Sequence, residues 1–376
     1  MYIHDQRILS KYRTVKMTNM VYYTRMKIAH ILPQLDEGGV EGHVVTLANS
    51  LAERGHEITV VSAGGRLVPK LSPGIRHVVM PVHKKSFPTA AACALRLASL
   101  ARREKIDLLH VHSRVPAWIA YMARALCGVP FVVTAHARYA RNAWLFPISR
   151  ADGVICVSRA VCDHLEGRLP EESRVRVIYS AKPQNKRPPQ NKRPRGRERL
   201  LYLGRLAKKK GLSVLLEALA KTKDTPWTLD VVGDGPILDE LASRARELGI
   251  EDRVFFRGHS DDPGEWFARG DVFLFPSLGE GMSLSLAEAF ESGIPVIASD
   301  LPAVRELLGI RGDAEPAALP PGLLPPGDAE AWAAALARYF DGSLVPRLEP
   351  YLTLPTPEEM ARLTEDYYRQ ILGAFR

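Results

Sequence analysis

Short apolar runs of strand character alternate with longer runs of helical character along most of this chain, and that alternation breaks only once. Strand-like runs fall at 27–32, 58–61, 77–80, 108–112, 131–134, 153–157 and 175–179, with helical runs at 40–54, 89–104 and 117–127 between them. Alternation of this kind requires a mostly parallel sheet with helices on both faces. The break is at 182–199, where the hexapeptide PQNKRP occurs twice in tandem. A segment this rich in proline and charge has too little apolar surface to pack and reads as an extended, solvated linker. Strand-like runs resume at 200–203, 229–232, 254–256, 272–275 and 295–298, followed by a proline-rich stretch at 319–326 and a helical run at 357–375. The expected fold is therefore α/β, with two parallel-sheet units joined by the linker and a cleft between them, a common place for ligands. The expected divisions are an N-terminal extension (1–25), a first unit (26–181), the linker (182–199), a second unit (200–345) and a C-terminal segment (346–376). The extension has no periodic pattern and reads as a loose tail or as the product of a start codon upstream of Met17, Met20 or Met26.

Length and composition agree with two soluble domains: 376 residues, 46% apolar and 25% charged. No apolar run is long enough to span a bilayer, and the first twenty residues lack the apolar core of a signal peptide. Cys93, Cys127, Cys156 and Cys162 have no metal-type spacing and read as reduced thiols of a cytoplasmic protein. The net charge of +9 invites a nucleic-acid reading, but residues 182–199 carry +7 and residues 1–25 carry +4, which leaves the rest at −2. The folded body is near neutral, so no nucleic-acid partner is expected.

The densest chemistry lies in PSLGEGMSLSLAEAFESGIPVIASD, residues 276–300. Glu280 sits in a glycine turn and Glu288 eight residues later. Carboxylates read sugar hydroxyls well because each hydroxyl donates to them. On a helix, residues eight apart lie within about 80° of one another, so both groups can face one cleft. Read singly, Ser285-x-x-Glu288 is a capping box and Glu280 an ordinary loop carboxylate.

Other motifs sit where strands give way to helices. In GRLAKKKG (204–211), Arg205 and Lys210 suit a diphosphate, since a helix N-terminus adds amide donors there; a solvated basic turn is the plainer reading. In VGDGP (232–236), Gly233 marks a turn and Pro236 the expected first helical position. Gly38 and Gly39 follow the first strand, where paired glycines permit close backbone approach to a phosphate or serve simply as a tight turn. They do not form a dinucleotide fingerprint: G-G-x-x-G is not G-x-G-x-x-G, and Ser62-Ala63 ends the next strand without a ribose-binding acid. His136 ends the strand VPFVVTAH, where a lone histidine is more often structural. His110 and His112 in LLHVHS are expected on opposite faces of their strand and receive no role. Lys84, Lys85, Arg96, Arg102, Arg103 and Lys105 cluster around the run at 89–104. They read as helix-end charge favoured by the macrodipole, or as a surface for anionic lipid headgroups.

In their order and spacing, the E-x7-E pair of 280 and 288, GRLAKKKG, GDGP and GGVEGHVVTLANSLAERGHEITVV resemble the retaining glycosyltransferases of family 4, which have the GT-B fold. The resemblance covers about 26–300 and extends to the C-terminal helix, which in that fold crosses back to the first domain. It implies two Rossmann-like units facing a cleft: an acceptor-binding first unit and a second unit that binds a nucleotide diphosphate sugar. It assigns the diphosphate to Arg205 and Lys210, sugar hydroxyls to Glu280 and ribose to Glu288. It further lays the amides of Gly281, Met282, Ser283 and Leu284 along the sugar and phosphates, and adds Gly38, Gly39 and Gly233 to the donor site. His136 would point into the cleft beside the donor sugar, although the aspartate that commonly follows is replaced here by Ala137-Arg138. The implied activity is transfer of a hexose to a glycan or lipid-linked acceptor in cell-surface polysaccharide or lipopolysaccharide assembly. It needs no cofactor and no metal, and takes place in the cytoplasm with peripheral attachment to the inner face of the membrane. The alternatives are a sugar-nucleotide epimerase of the same architecture and a non-catalytic protein that binds through the basic linker.

Overall fold

The computed structural model describes residues 25–36, 38–140, 142–181, 198–260, 262–310 and 319–375. The duplicated PQNKRP segment and nearly all of the 1–25 extension lie outside the described residues.

The first sheet has seven parallel strands: β1 (Lys27–Ile31), β2 (Glu57–Ser62), β3 (Arg76–Val79), β4 (Leu108–His112), β5 (Phe131–Ala135), β6 (Gly153–Cys156) and β7 (Val175–Val177). Their order is β3-β2-β1-β4-β5-β6-β7. β4, β5 and β6 are buried along their whole length, which is why they read as unbroken apolar runs rather than as alternation. The helices are α1 (Gly39–Glu53), α2 (Phe87–Glu104), α3 (Arg114–Cys127), α4 (Phe146–Ser149) and α5 (Arg159–His164).

The second sheet has six parallel strands: β8 (Glu198–Leu203), β9 (Trp227–Val232), β10 (Val254–Gly258), β11 (Val272–Phe275), β12 (Val296–Ser299) and β13 (Leu323–Leu324), in the order β10-β9-β8-β11-β12-β13. Its helices are α6 (Leu212–Ala220), α7 (Leu238–Glu247), α8 (Pro263–Arg269), α9 (Leu284–Ser292), α10 (Pro302–Leu307) and α11 (Ala329–Phe340); α12 (Pro357–Phe375) ends the chain. β8 starts inside the stretch read as linker, because pairing with β9 carries Arg199 into register with Thr228. α7 starts at Leu238, so Pro236 precedes the helix instead of opening it.

In both sheets the strand order reverses beside the first strand, between β1 and β4 and between β8 and β11. Ligands of open α/β sheets bind outside the carboxyl ends of strands at such switch points. Gly38 and Gly39 follow β1, and the basic turn at 204–210 follows β8.

Helix α12 packs on the first unit. Met360, Ala361, Tyr367, Tyr368 and Ile371 share a core with Ile28, Val132 and Ile155 on the sheet face that α1 also covers. Tyr367 donates to the Arg174 carbonyl at 2.7 Å, and the Glu365 carboxylate, 1% exposed, meets Arg54 at 2.6 Å. No helix among the described residues is long and apolar enough to cross a membrane.

The units also meet directly. The Glu306 carboxylate accepts from the amides of Arg159 and Ala160 at 2.7 and 2.8 Å, capping α5 from the other unit, and from the Tyr179 hydroxyl at 2.7 Å.

Candidate active site

The loop at 276–283 carries Glu280 and is held against the turn that carries Lys210. Lys208–Lys210 form a single tight helical turn, and the Leu278 amide donates to the Lys209 carbonyl at 2.8 Å. Gly211 closes that turn at φ 70°, with its Cα so near Pro276 that a Cβ would lie 1.9 Å from the Pro276 carbonyl oxygen. Only glycine satisfies both the left-handed conformation and the approach. As a result Lys210 Nζ lies 2.6 Å from Glu280 Oε1, although the residues are 70 apart in sequence. The Ser277 hydroxyl donates to the same oxygen at 2.8 Å. Arg205 is exposed on the same turn, with its carbonyl accepting from the Tyr202 hydroxyl at 3.2 Å.

Beyond Glu280 the chain enters α9. Ser283 is the N-cap, its hydroxyl accepting from the Leu286 amide at 3.4 Å. The cap is therefore Ser283 and not Ser285, and Glu288 lies beyond capping reach, one turn further along. Burial raises the Glu288 carboxyl to about 7. No hydrogen bond to this carboxyl is found among the described residues, and donors from a ligand would favour its charged form. Leu284 opens α9, and Met282 packs against the cores of both units. Gly233 donates its amide to the Gly258 carbonyl at 2.7 Å, and Gly38 accepts from the Gly42 amide at 2.9 Å as the N-cap of α1, which begins at Gly39.

The two units touch at Gly281. The Ser158 hydroxyl donates to its carbonyl at 2.7 Å, and a Cβ there would lie 2.0 Å from the His136 carbonyl oxygen. The loop at 276–283 thus abuts the end of β5, where His136 follows the strand. Sequence reasoning missed Glu41. This α1 carboxylate is raised by burial, with Arg205 and Lys209 of the opposite unit pulling it the other way.

It also missed a histidine cluster. His110 and His112 lie on one face of β4 with ring centroids 4.2 Å apart, because residues two apart on a strand point the same way; the expectation of opposite faces is corrected. His30 Nδ1 lies 3.1 Å from His112 Nε2, and His112 Nδ1 lies 3.0 Å from His136 Nε2. His43 of α1 stands edge-on to His136 at 4.8 Å between centroids and bonds the Ser180 hydroxyl through Nδ1. Burial pulls His30 down to about 3 and His43 to about 4, and takes His110, His112 and His136 well below the ordinary value. Two overlapping sets, His30-His110-His112 and His43-His112-His136, place their nitrogens within 4.8 Å. Neutral imidazoles are the ligating form, and here His112 stands close enough to His30 and to His136 for each pair of nitrogens to share a proton instead. No carboxylate belongs to either set.

Two family models match the chain: Glycosyltransferase Family 4 over residues 37–181 and Glycosyl transferases group 1 over residues 197–341. Together they take in well over half of it. The chain belongs to glycosyltransferase family 4. This glycosyltransferase is similar to the N-acetyl-alpha-D-glucosaminyl L-malate synthase of Bacillus anthracis, at 29% identity over 302 residues, 73% of this chain and 79% of that one. It is also similar to the lipopolysaccharide core biosynthesis glycosyltransferase LpsE of Rhizobium meliloti, at 26% identity over 288 residues, 73% and 79% of the two chains. Among solved structures it resembles Anabaena HepE in complex with UDP and glucose, with a TM-score of 0.67 and 19% identity, covering 93% of this chain and 98% of that one. That likeness is one of fold, and the two parallel-sheet units of this glycosyltransferase have the GT-B architecture.

Proposed function

We propose that this glycosyltransferase takes a hexose from a nucleotide diphosphate sugar and passes it, with retention of anomeric configuration, to a glycan or lipid-linked acceptor. The observation that carries the reading is the contact of Lys210 with Glu280 at the switch point of the second sheet, 2.6 Å apart and largely shielded from water. One cation and one carboxylate held together suit a ligand that is anionic at one end and rich in hydroxyls at the other. In this reading Lys210 and Arg205 hold the diphosphate, Glu280 accepts from sugar hydroxyls and Glu288 accepts from the ribose. The amides of Gly281 to Leu284 run along the sugar and phosphates, and Gly38, Gly39 and Gly233 border the same space. His136 stands beside the sugar from the opposite unit.

In the reaction the bond from the sugar C1 to the diphosphate oxygen breaks, a bond from C1 to the acceptor oxygen forms on the same face, and the acceptor's hydroxyl proton passes to the departing diphosphate. Arg205, Lys210 and the backbone amides stabilise the charge that develops on the departing diphosphate, and the two units hold the reactants in register. This assigns no step to a metal or cofactor. The similarity to LpsE supports an acceptor in cell-surface lipopolysaccharide or polysaccharide assembly. Phe87 and Leu95, 77% and 61% exposed on α2 among the basic residues already named, support a cytoplasmic enzyme that rests on an anionic membrane.

The test incubates the protein with UDP-, GDP- and ADP-sugars and lipid-linked acceptors, and reads the anomeric coupling constant of the product by NMR. A product with the donor's anomeric configuration supports the reading, and an inverted product removes the retaining mechanism. Conversion of the sugar without acceptor would favour the epimerase.

A further inference from the structure

The imidazoles of His30, His112 and His136 form a file that runs from the core to the cleft, and its geometry fixes where their protons sit. His112 bonds on both sides, to His30 Nδ1 through Nε2 and to His136 Nε2 through Nδ1. A neutral imidazole has one N–H and one lone pair, so His112 donates on one side and accepts on the other. All donations therefore run in one direction, and the three residues share one tautomer.

Two arrangements are possible. If protons point inward, all three rings are Nε2–H, and the file ends at His30 Nε2–H. That atom is buried with no hydrogen-bond partner among the described residues. If protons point outward, all three are Nδ1–H, and the inner end carries only a lone pair. An orphaned buried N–H is the rarer and costlier defect. The outward arrangement also places the last proton on His136 Nδ1. That nitrogen has no partner among the described residues, and the residue that carries it is only part-buried.

We propose that His112 and His30 are positioning residues that hold His136 in its Nδ1–H tautomer, so that a hydrogen-bond donor faces the sugar in the cleft. Free imidazole in water prefers the other tautomer, so the file has to impose this one. The consequence is complementary recognition. Glu280 accepts from sugar hydroxyls on one side, while His136 donates to a sugar oxygen on the other. The surroundings keep the file uncharged. His110 beside it is bonded to Thr134 Oγ1 at 2.6 Å and to the Tyr368 hydroxyl, and His43 is bonded to Ser180, so no carboxylate or ammonium reaches the three rings through these neighbours. The role of His136 in transfer rests on the reading of the cleft as a nucleotide-sugar site, whereas the tautomer does not.

The experiment is long-range proton–nitrogen NMR of the full-length protein labelled with 15N-histidine, combined with kinetics of two variants. In the wild type, His136 should show a protonated Nδ1 and a bare Nε2. His112→Phe removes the donor and should return His136 to the Nε2–H form, lowering kcat about tenfold with little change in KM. His112→Asn, whose amide N–H can stand in for Nδ1–H, should preserve the tautomer and most of kcat. A wild-type His136 protonated on Nε2 overturns the proposal, and so do Phe and Asn variants with equal kcat and equal spectra. A tautomer shift in His112→Phe with unchanged kcat would overturn the catalytic consequence and remove His136 from the reaction, while tautomer control itself would stand.

Discussion

Lys210 Nζ and Glu280 Oε1 are 2.6 Å apart, and the two side chains are only 18% and 7% exposed. An ion pair this shielded from water gives little net stability, because desolvation offsets the attraction, but breaking it leaves one charge unmatched. In the proposed reaction it holds an ammonium and a carboxylate in fixed positions before the substrate arrives.

Lys210→Ala should therefore lower kcat by about two to three orders of magnitude, the usual loss when one group that stabilises developing charge is removed. It should also lower the melting temperature, since Glu280 is left unpaired. The double variant Lys210→Met with Glu280→Gln should regain the melting temperature but not the turnover. Thermal unfolding followed by steady-state assay separates the two effects.

Gly281→Ala tests the junction between the units. A Cβ would lie 2.0 Å from the His136 carbonyl oxygen, closer than any real contact, and the clashing atom is backbone. The expected outcome is that the units part slightly, the Ser158 bond to Gly281 is lost and kcat falls, while each unit stays folded. Small-angle scattering should show a larger radius of gyration than that of the wild type.

Glu288 links donor affinity to pH. Its carboxyl titrates near 7 in the folded protein and near 4.5 when unfolded, so the folded state retains the proton between these values. Stability falls as pH rises from 4.5 through 7, and the loss is complete above 7, at about 3 kcal/mol. In the proposed role the ionised form accepts from ribose. Nucleotide affinity should then rise through pH 7, whereas Glu288→Gln should bind weakly at every pH and melt a few degrees higher than the wild type at pH 8. Calorimetric titration at pH 6 and pH 8, together with melting curves, checks both.

Glu365 holds the last helix to the first unit. Burial acts to raise its carboxyl, but hydrogen bonds from Arg369 and Arg54 outweigh it and set the folded value below the ordinary one. Its stabilising effect is therefore full above about pH 4.5 and is lost as pH falls through the lower folded value. Glu365→Ala should cost about 3 kcal/mol at pH 7 by removing the buried carboxylate that Arg54, Arg369 and His56 all meet. Denaturant titration should show the difference between variant and wild type shrinking as pH falls below about 4.5.

Much of this architecture was legible because parallel strands buried on both faces must be apolar throughout. β4, β5 and β11 announce themselves as unbroken runs, and the charged, proline-rich duplication marks where one sheet ends and the next begins. The ends of elements were less visible: pairing with β9 carried β8 back to Glu198, and Ser283 rather than Ser285 took the cap. The approach of Lys210 to Glu280 could be anticipated only from motif order, since nothing local joins residues 70 apart. His43 and His30 left no sequence signal. Each resembles an ordinary buried position in its own element: His30 joins because β1 pairs with β4 and sets it opposite His110, and His43 because α1 carries it against His112 and His136. The pairing of His110 with His112 was readable, since the two-residue period puts both on one face. Glu306, Ser158 and Glu41 depend on how the two units face one another, which one-dimensional patterning does not encode.

The central claim is that the cleft holds a nucleotide diphosphate sugar between Lys210, Arg205, Glu280 and Glu288. Calorimetry of the wild-type protein against UDP-, GDP- and ADP-sugars, with Glu288→Ala as control, tests it most directly. Tight binding of donors carrying one base, with marked weakening in the variant, is expected. Equal binding by wild type and variant, or no binding by any donor in the presence or absence of acceptor, would contradict it.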